Sequence, residues 1–302
     1  MFMKRIVSVS LGSSSRDHHV VARIGGEEFL IERIGTDGDY GKAIAMIREL
    51  DGKVDAFGMG GISIYLYGRN NRRYILKSAL PILEAAGKTP MADGSGLKNT
   101  LERHVVRYLK DELGIPLEQK TVLMVCGMER LGMAETFSQM GCHTIYGDFM
   151  FVLDMPIPIH KLKSLHRAAS VLMPVIGRLP LKMLYPSGSS QEVNIPKFEK
   201  YYNQADIIAG DFLYIRKHLP YSVAGKIVVT NTVTAKDVDM LRERGARILV
   251  TSTPELEGRS FGTNVMEAVA CVLIGKRPEN ITAEEYRNVL NQDAFHHRVV
   301  YF

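Results

Sequence analysis

Short runs of consecutive apolar residues alternate along this chain with longer stretches in which apolar positions recur every three or four residues. The first pattern predicts strands buried on both faces of a parallel sheet, and the second predicts helices with one apolar side. Residues 5–11 read as a strand, 12–17 as a polar loop, and 20–24 with 29–34 as a hairpin across Gly25 and Gly26. Residues 40–50 place Ile44, Ile47 and Leu50 on one helical side. A strand over 54–59, a strand running into a helix over 74–86 and a short strand over 89–92 follow. A helix over 99–113 is then stopped by Gly114 and Pro116.

The alternation becomes sharpest at residues 120–148. The apolar run from Val122 to Cys126 predicts a buried strand, and Gly127 allows a tight turn out of it. Gly132 lets the helix over 133–140 pack closely, Gly141 sits at its C-cap, and 143–148 form the next strand. Asp148 lies at the end of that strand, at the spacing from Gly127 from which a carboxylate accepts the ribose hydroxyls of NAD. This is the sequence of a dinucleotide-binding βαβ unit, apart from Glu129, which stands where the middle glycine of G-x-G-x-x-G opens the backbone to a pyrophosphate. Its charge repels a bound phosphate unless it turns away or pairs with Arg130. A sheet–helix turn that holds no cofactor fits the same residues.

Beyond Asp148 the rhythm breaks. Pro156, Pro158, Pro174 and Pro180 fall among basic and large apolar residues. Proline interrupts helix interiors, so two short helices, 159–172 and 175–184, are expected to form a lid, an oligomer contact or a membrane-surface element. Strands at 205–210, 227–230 and 247–251 and a helix to Gly245 restore the alternation, and an apolar helix over 265–274 closes it. The pattern predicts an α/β fold of two domains. Residues 1–105 form an N-terminal α/β unit, and residues 106–302 form a Rossmann-like doubly wound parallel sheet with a helical insertion near 155–186.

Composition narrows the function classes. At 302 residues and 46% hydrophobic content, the chain can bury two cores. Cys126, Cys142 and Cys271 all sit in apolar stretches without ligand spacing, which points to a reducing cytoplasm and no metal. His18 and His19 lack a third ligand at suitable spacing. No run of eighteen apolar residues predicts a membrane span, and residues 1–5 lead straight into a strand rather than a signal peptide. A net charge of +5 without an arginine-rich arm favours a pocket for a small anion over nucleic acid. Membrane binding is not expected, and a homodimer is compatible with the sequence.

The segment 93–141 resembles the shikimate and quinate dehydrogenases. Asp93-Gly94-Ser95-Gly96 matches the family's T-D-G-x-G turn into a helix, and Lys120 to Gly132 follow at a similar distance. Asn231-Thr232 matches an asparagine–threonine turn, and residues 262–278 match the C-terminal helix that returns to the substrate domain. The resemblance implies an NAD-dependent dehydrogenase, with NADP less favoured because Asp148 repels a 2′-phosphate, acting on a cyclic hydroxy acid such as quinate or shikimate. It implies cofactor contacts from Gly127, Arg130, Gly132, Asp148, Asn231 and Thr232, and a catalytic aspartate at Asp93. The family's lysine motif is absent, which leaves Lys77 as the candidate base and Lys98 as its competitor. Asp93 also suits an N-cap for the helix starting near Leu97. Ser13 and Ser15, Arg259 and Asn264 are the candidate substrate contacts, with a turn and a capped surface loop as their other readings. The alternative function is a ligand-binding protein on the same scaffold, with Glu129 blocking the pyrophosphate site.

Overall fold

The computed structural model describes residues 3–67, 73–176, 178, 194–256, 259–260, 262–290 and 297–302. Strand β1 (Lys4–Ser10) leads through a single 3-10 turn to the hairpin β2 (His18–Ile24) and β3 (Glu27–Gly35). Gly25 and Gly26 both adopt positive φ there, at 59° and 84°, which a two-residue hairpin turn requires. Helix α1 (Tyr40–Leu50) is capped by Asp39, whose side chain accepts from the Lys42 N–H. Then come β4 (Ala56–Gly60), the small ladder β5 (Tyr65–Tyr67) and β6 (Arg73–Ile75), helix α2 (Leu80–Ala85) and β7 (Met91–Ala92). The five main strands order as β2-β3-β1-β4-β7, parallel except for β2.

Helix α3 (Ser95–Asp111) crosses to the second sheet, so the expected division at residues 105 and 106 falls inside one helix. Strand β8 (Thr121–Met124), helix α4 (Leu131–Gln139) and β9 (His143–Tyr146) form the predicted βαβ unit. A π-helical turn over Asp148–Val152 follows, then helix α5 (Leu162–Ile176). The first expected short helix, 159–172, falls largely within α5, which continues past Pro174 in its last turn to Ile176. Of the second expected helix, 175–184, residues 177 and 179–184 lie outside the described residues.

Helix α6 (Glu199–Gln204), β10 (Ile207–Ala209), α7 (Phe212–His218), β11 (Ile227–Thr230), α8 (Ala235–Glu243) and β12 (Ile248–Thr251) continue the winding. Thr234 and Asp237 cap α8 reciprocally, as a capping box. A short ladder, β13 (Glu255–Leu256) with β14 (Arg259–Ser260), precedes helices α9 (Thr263–Ile274) and α10 (Ala283–Leu290). Strand β15 (Arg298–Tyr301) then joins the second sheet antiparallel to β12. The second sheet orders as β15-β12-β11-β10-β8-β9 and is doubly wound and Rossmann-like.

Residues 263–290 follow the second unit in the chain, but α9 packs on β1, β4 and β7 of the first sheet, the return that the resemblance of residues 262–278 implies, and α10 packs on α3. The apolar side of α9 (Val265, Met266, Val269) joins Ile6, Phe29, Ile31, Leu97 and Leu101 in one buried core. The opposite face of the first sheet, with Val7, Val9, Phe57 and Ile82, belongs to a core that continues through Val105 and Leu109 to Val122 and Met124 of the second. The two units are therefore joined by continuous packing along α3.

Candidate functional site

In each sheet the winding direction reverses beside its first strand, and ligands of such folds bind in the crevice at the C-terminal ends of the strands flanking that point. In the second sheet those strands are β8 and β10. The chain leaves β8 through Val125, Cys126 and Gly127, and leaves β10 through Gly210 and Asp211. The crevice is filled by the protein's own side chains. Arg130 is 2% exposed; its Nη1 donates to Glu102 Oε1 on α3, and its Nη2 donates to Asp211 Oδ2 at 2.8 Å. Asn231 Nδ2 donates to the same Asp211 oxygen at 2.9 Å, and Asn231 Oδ1 accepts from the Phe212 N–H. Burial pushes the Glu102 carboxyl up against the pull of Arg130, and Asp211 is held down chiefly by the Arg130 guanidinium against its own burial.

The glycine turn is occupied in the same way. Asp148 Oδ2 accepts from the Gly127 N–H at 3.0 Å, and Oδ1 accepts from the Met128 N–H at 2.7 Å. Asp148 is 5% exposed, and burial lifts its carboxyl to about 6 even though these two bonds oppose the rise. This corrects the expected role of Asp148. It faces inward to the turn and both oxygens are taken, so it does not present a carboxylate to a ribose. Gly127 and Gly132 are likewise packing positions. A Cβ at Gly132 would lie 2.6 Å from Asn99 Oδ1, so this glycine sets the approach of α4 to α3 rather than to the sheet. Asn231 enters the arginine network, and Thr232 follows it half-buried.

A cleft opens above this network between the two units. Its walls include Ser63 and Tyr65 after β4, Lys98 and Glu102 on α3, and Glu129 and Arg130 after β8. Lys98 Nζ donates to Glu129 Oε1 at 3.0 Å, with side-chain exposures of 13% and 26%. Glu129 therefore pairs with Lys98, not with Arg130.

Two catalytic expectations are corrected. Asp93 does not face the cleft as a free carboxylate. Its Oδ2 accepts from the N–H groups of Ile64 and Tyr65 at 2.6 and 2.8 Å, and its Oδ1 accepts from the Ser95 N–H at 3.0 Å and the Ser95 hydroxyl at 2.5 Å. It holds the cleft wall and the first residue of α3 from one position before the N-cap, which is Gly94 and has no side-chain cap bond, so Asp93 is not the N-cap itself. Lys77 is exposed in the turn before α2 and is not a wall of the cleft; Lys98 is the lysine that the fold brings there.

The substrate contacts expected from the first unit also lie elsewhere. Ser13 is half-buried and Ser15 exposed, and they hydrogen-bond each other at 2.8 Å, which makes them a turn at the end of β1. Asn264 donates to Ser8 Oγ at 2.9 Å, and a Cβ at Gly58 would lie 2.9 Å from its Nδ2, so it locks α9 to the first sheet. Arg259 lies on β14 by its backbone, and its side chain is outside the described residues.

Two residues of the site, Glu102 and Asp211, carry a signal that the motif reading passed over. Glu102 follows Leu101 and precedes Val105 on the apolar side of α3, and a carboxylate there demands a buried cation. Asp211 ends a strand beside the winding reversal. Glu267 lies in the apolar helix α9, is 1% exposed, and accepts from the Gly94 and Leu97 N–H groups and the Tyr286 hydroxyl. Among the described residues, no cluster of three or more His, Cys, Asp or Glu could hold a metal ion, and no helix is long and apolar enough to cross a membrane.

Two family models match the chain, both described as domains of unknown function: DUF8753 over residues 5–93 and DUF8754 over residues 96–302. No curated protein sequence matches it. Among solved structures it is similar to a carbohydrate-transporter solute-binding protein from Agrobacterium radiobacter in complex with D-arabinose. That match has 12% identity and a TM-score of 0.38, covering 100% of this chain and 95% of the other. It is also similar to an NAD-dependent malic enzyme from Thermotoga maritima (14% identity, TM-score 0.33, 95% and 82% covered). A third match is an L-tryptophan dehydrogenase from Nostoc punctiforme (11% identity, TM-score 0.37, 96% and 78% covered).

Proposed function

The chain belongs to the family of the DUF8754 domain, and we propose that it is a small-ligand protein whose cleft lies between its two sheets, with the dinucleotide position closed by its own side chains. One observation carries this reading: the Asp148 carboxylate takes the Gly127 and Met128 N–H groups. A pyrophosphate bound to such a turn uses backbone donors at the helix N-terminus. Here the Asp148 carboxylate holds the first two N–H groups of the turn, those of Gly127 and Met128 before α4 begins at Leu131, and the Glu129 carboxylate stands where the chain would otherwise open to phosphate. The reading favours the ligand-binding alternative over oxidation of a cyclic hydroxy acid by NAD. The expected proton-transfer pair supports this choice, because Lys77 is exposed and Asp93 is bound by four donors.

Isothermal titration of NAD and of NADP into the parent protein and into Asp148→Ala tests the reading. The expected result is no saturable binding to the parent. Micromolar NAD binding to the parent that is lost in Asp148→Ala overturns the proposal and returns the chain to the dehydrogenases.

A further inference from the structure

We propose that this chain pairs with a second copy of itself, edge to edge through β2, so that the two first sheets become one. Strand β2 is the outermost strand of the first sheet and runs beside β3 in unbroken register from His18 to Ile24. At seven residues it is the longest sheet edge among the described residues. At the other end of its sheet β7 has two residues, and the second sheet ends in β15 and β9, with four residues each. Tyr146 of β9 is also bridged by Ile159. A free edge offers N–H and C=O groups to another strand, and short length, proline, lysine or a bulge commonly guards it. Strand β2 has none of these guards, and its one formal charge, Arg23, stands opposite Glu28 of β3.

The hairpin fixes which backbone groups are free. In a two-residue hairpin the residues flanking the turn exchange both ladder bonds, and bonded pairs recur at every second residue. Ile24, Ala22, Val20 and His18 therefore direct their N–H and C=O groups to β3, and those of His19, Val21 and Arg23 point away from it. Among the described residues these three find no backbone partner beyond β3. A two-fold axis at Val21 sets Val21 opposite its own copy and His19 opposite Arg23 of the second copy, so every free donor meets a free acceptor. A register shifted by two residues leaves part of the edge unpaired. The Val21 side chains, each 56% exposed in the single chain, then cover one another across the axis. On the opposite face Ala22 meets Val20 of the second copy, beside the core to which α9 contributes. The two arginines stay apart, each beside a histidine and its own Glu28.

A contact of seven residues per chain is well below the size of a stable interface, about 20–30 residues a side, so the dimer is expected to form and dissociate with concentration. Sedimentation velocity of the full chain from micromolar to millimolar concentration reads it. The expected result is a rise from the mass of one chain to that of two, lost in Val21→Pro and in Val21→Lys. The proline removes an N–H that faces the free edge and leaves the bonds between β2 and β3 in place. The lysine changes only an exposed side chain, so it keeps the test decisive if the proline disturbs the hairpin, and thermal unfolding checks the fold of both. Oxidised glutathione reads the axis separately, with the parent, whose cysteines are buried or half-buried, as the control. Cα atoms across a bonded antiparallel pair stand about 5.5 Å apart, within the reach of a disulfide, so Val21→Cys is expected to give a covalent dimer. His19→Cys is expected to give none, because its two copies lie about 14 Å apart along the strands. A parent that sediments as one chain throughout overturns the proposal. A dimer that survives both the proline and the lysine variants overturns it too, as does cross-linking of His19→Cys at the rate of Val21→Cys.

Discussion

Arg130 and Glu102 form an ion pair sealed from solvent, with side-chain exposures of 2% and 1%, between the turn after β8 and the middle of α3. Asp211 completes the arrangement from the end of β10. A single guanidinium therefore joins the two strands flanking the winding reversal to the helix that connects the units, in the crevice where folds of this kind usually hold a ligand. Replacing Arg130 with Met is expected to leave two carboxylates without their cation and to lower unfolding stability by about 3–5 kcal/mol. Chemical denaturation measures this. The double variant with Glu102→Leu should recover part of the loss, because it removes one of the stranded charges, and losses that simply add would contradict the coupling.

Glu267 joins α9 to the start of α3, and its titration should appear in the stability of the whole chain. Burial lifts its carboxyl from the ordinary 4.5 to about 7, and the nearby Asp93 carboxylate pushes in the same direction. Between those two values the folded state holds a proton that the unfolded state has released. The contribution is therefore fully present below about pH 4.5 and is lost as the pH rises through about 7. Glu267→Gln removes this dependence and keeps an acceptor oxygen for one of the Gly94 and Leu97 N–H groups, which bond to different oxygens of Glu267. The stability of the variant relative to the parent is expected to rise with pH across that window, by on the order of 3 kcal/mol. Urea melts at acidic, neutral and mildly alkaline pH measure it, and a difference that stays flat would refute the assignment.

Gly132 of α4 lies directly against Asn99 of α3. A methyl group there would stand 2.6 Å from Asn99 Oδ1 and 2.7 Å from the Asn99 carbonyl oxygen. The side-chain oxygen can rotate away, but the carbonyl is fixed in α3. Gly132→Ala should cost about 1–3 kcal/mol through overpacking, read as a lowered midpoint in thermal unfolding. Asn99→Ala in the same background should return little of it, because the carbonyl remains.

Much of this architecture is legible in the sequence because it is local. Val122 to Cys126 form an uninterrupted apolar run because the strand is covered on both faces, and Tyr40–Leu50 shows its helical spacing because one side faces the core. The return of α9 to the first sheet joins residues far apart in the chain, such as Asn264 and Ser8; no hydrophobic periodicity encodes it, and only the family resemblance of residues 262–278 points to it. At the site, spacing placed Asp148 beside Gly127 but did not reveal which way its carboxylate points. Glu129 marked the turn as unsuited to phosphate, yet its partner Lys98 comes from a helix that only the fold brings near. Glu102 and Asp211 were concealed because a buried ion network has no motif, only a charged residue in an apolar stripe.

Asp93 offers the sharpest separation between support and chemistry. A catalytic carboxylate removed by mutation abolishes turnover with little effect on the fold, whereas this one accepts from two N–H groups of the segment after β4 and from the N–H and hydroxyl of Ser95. Asp93→Ala strips an acceptor from all of them. Each buried donor left without a partner costs about 1–3 kcal/mol, reduced where water reaches it. The expected outcome is a loss of about 2–4 kcal/mol in urea unfolding, with faster hydrogen exchange at the Ile64 and Tyr65 amides. Because Tyr65 and Ser95 are walls of the cleft, ligand affinity should fall together with this local order. A variant as stable as the parent, with unchanged exchange at those amides, would contradict the supporting role and restore Asp93 as a group that acts on a substrate.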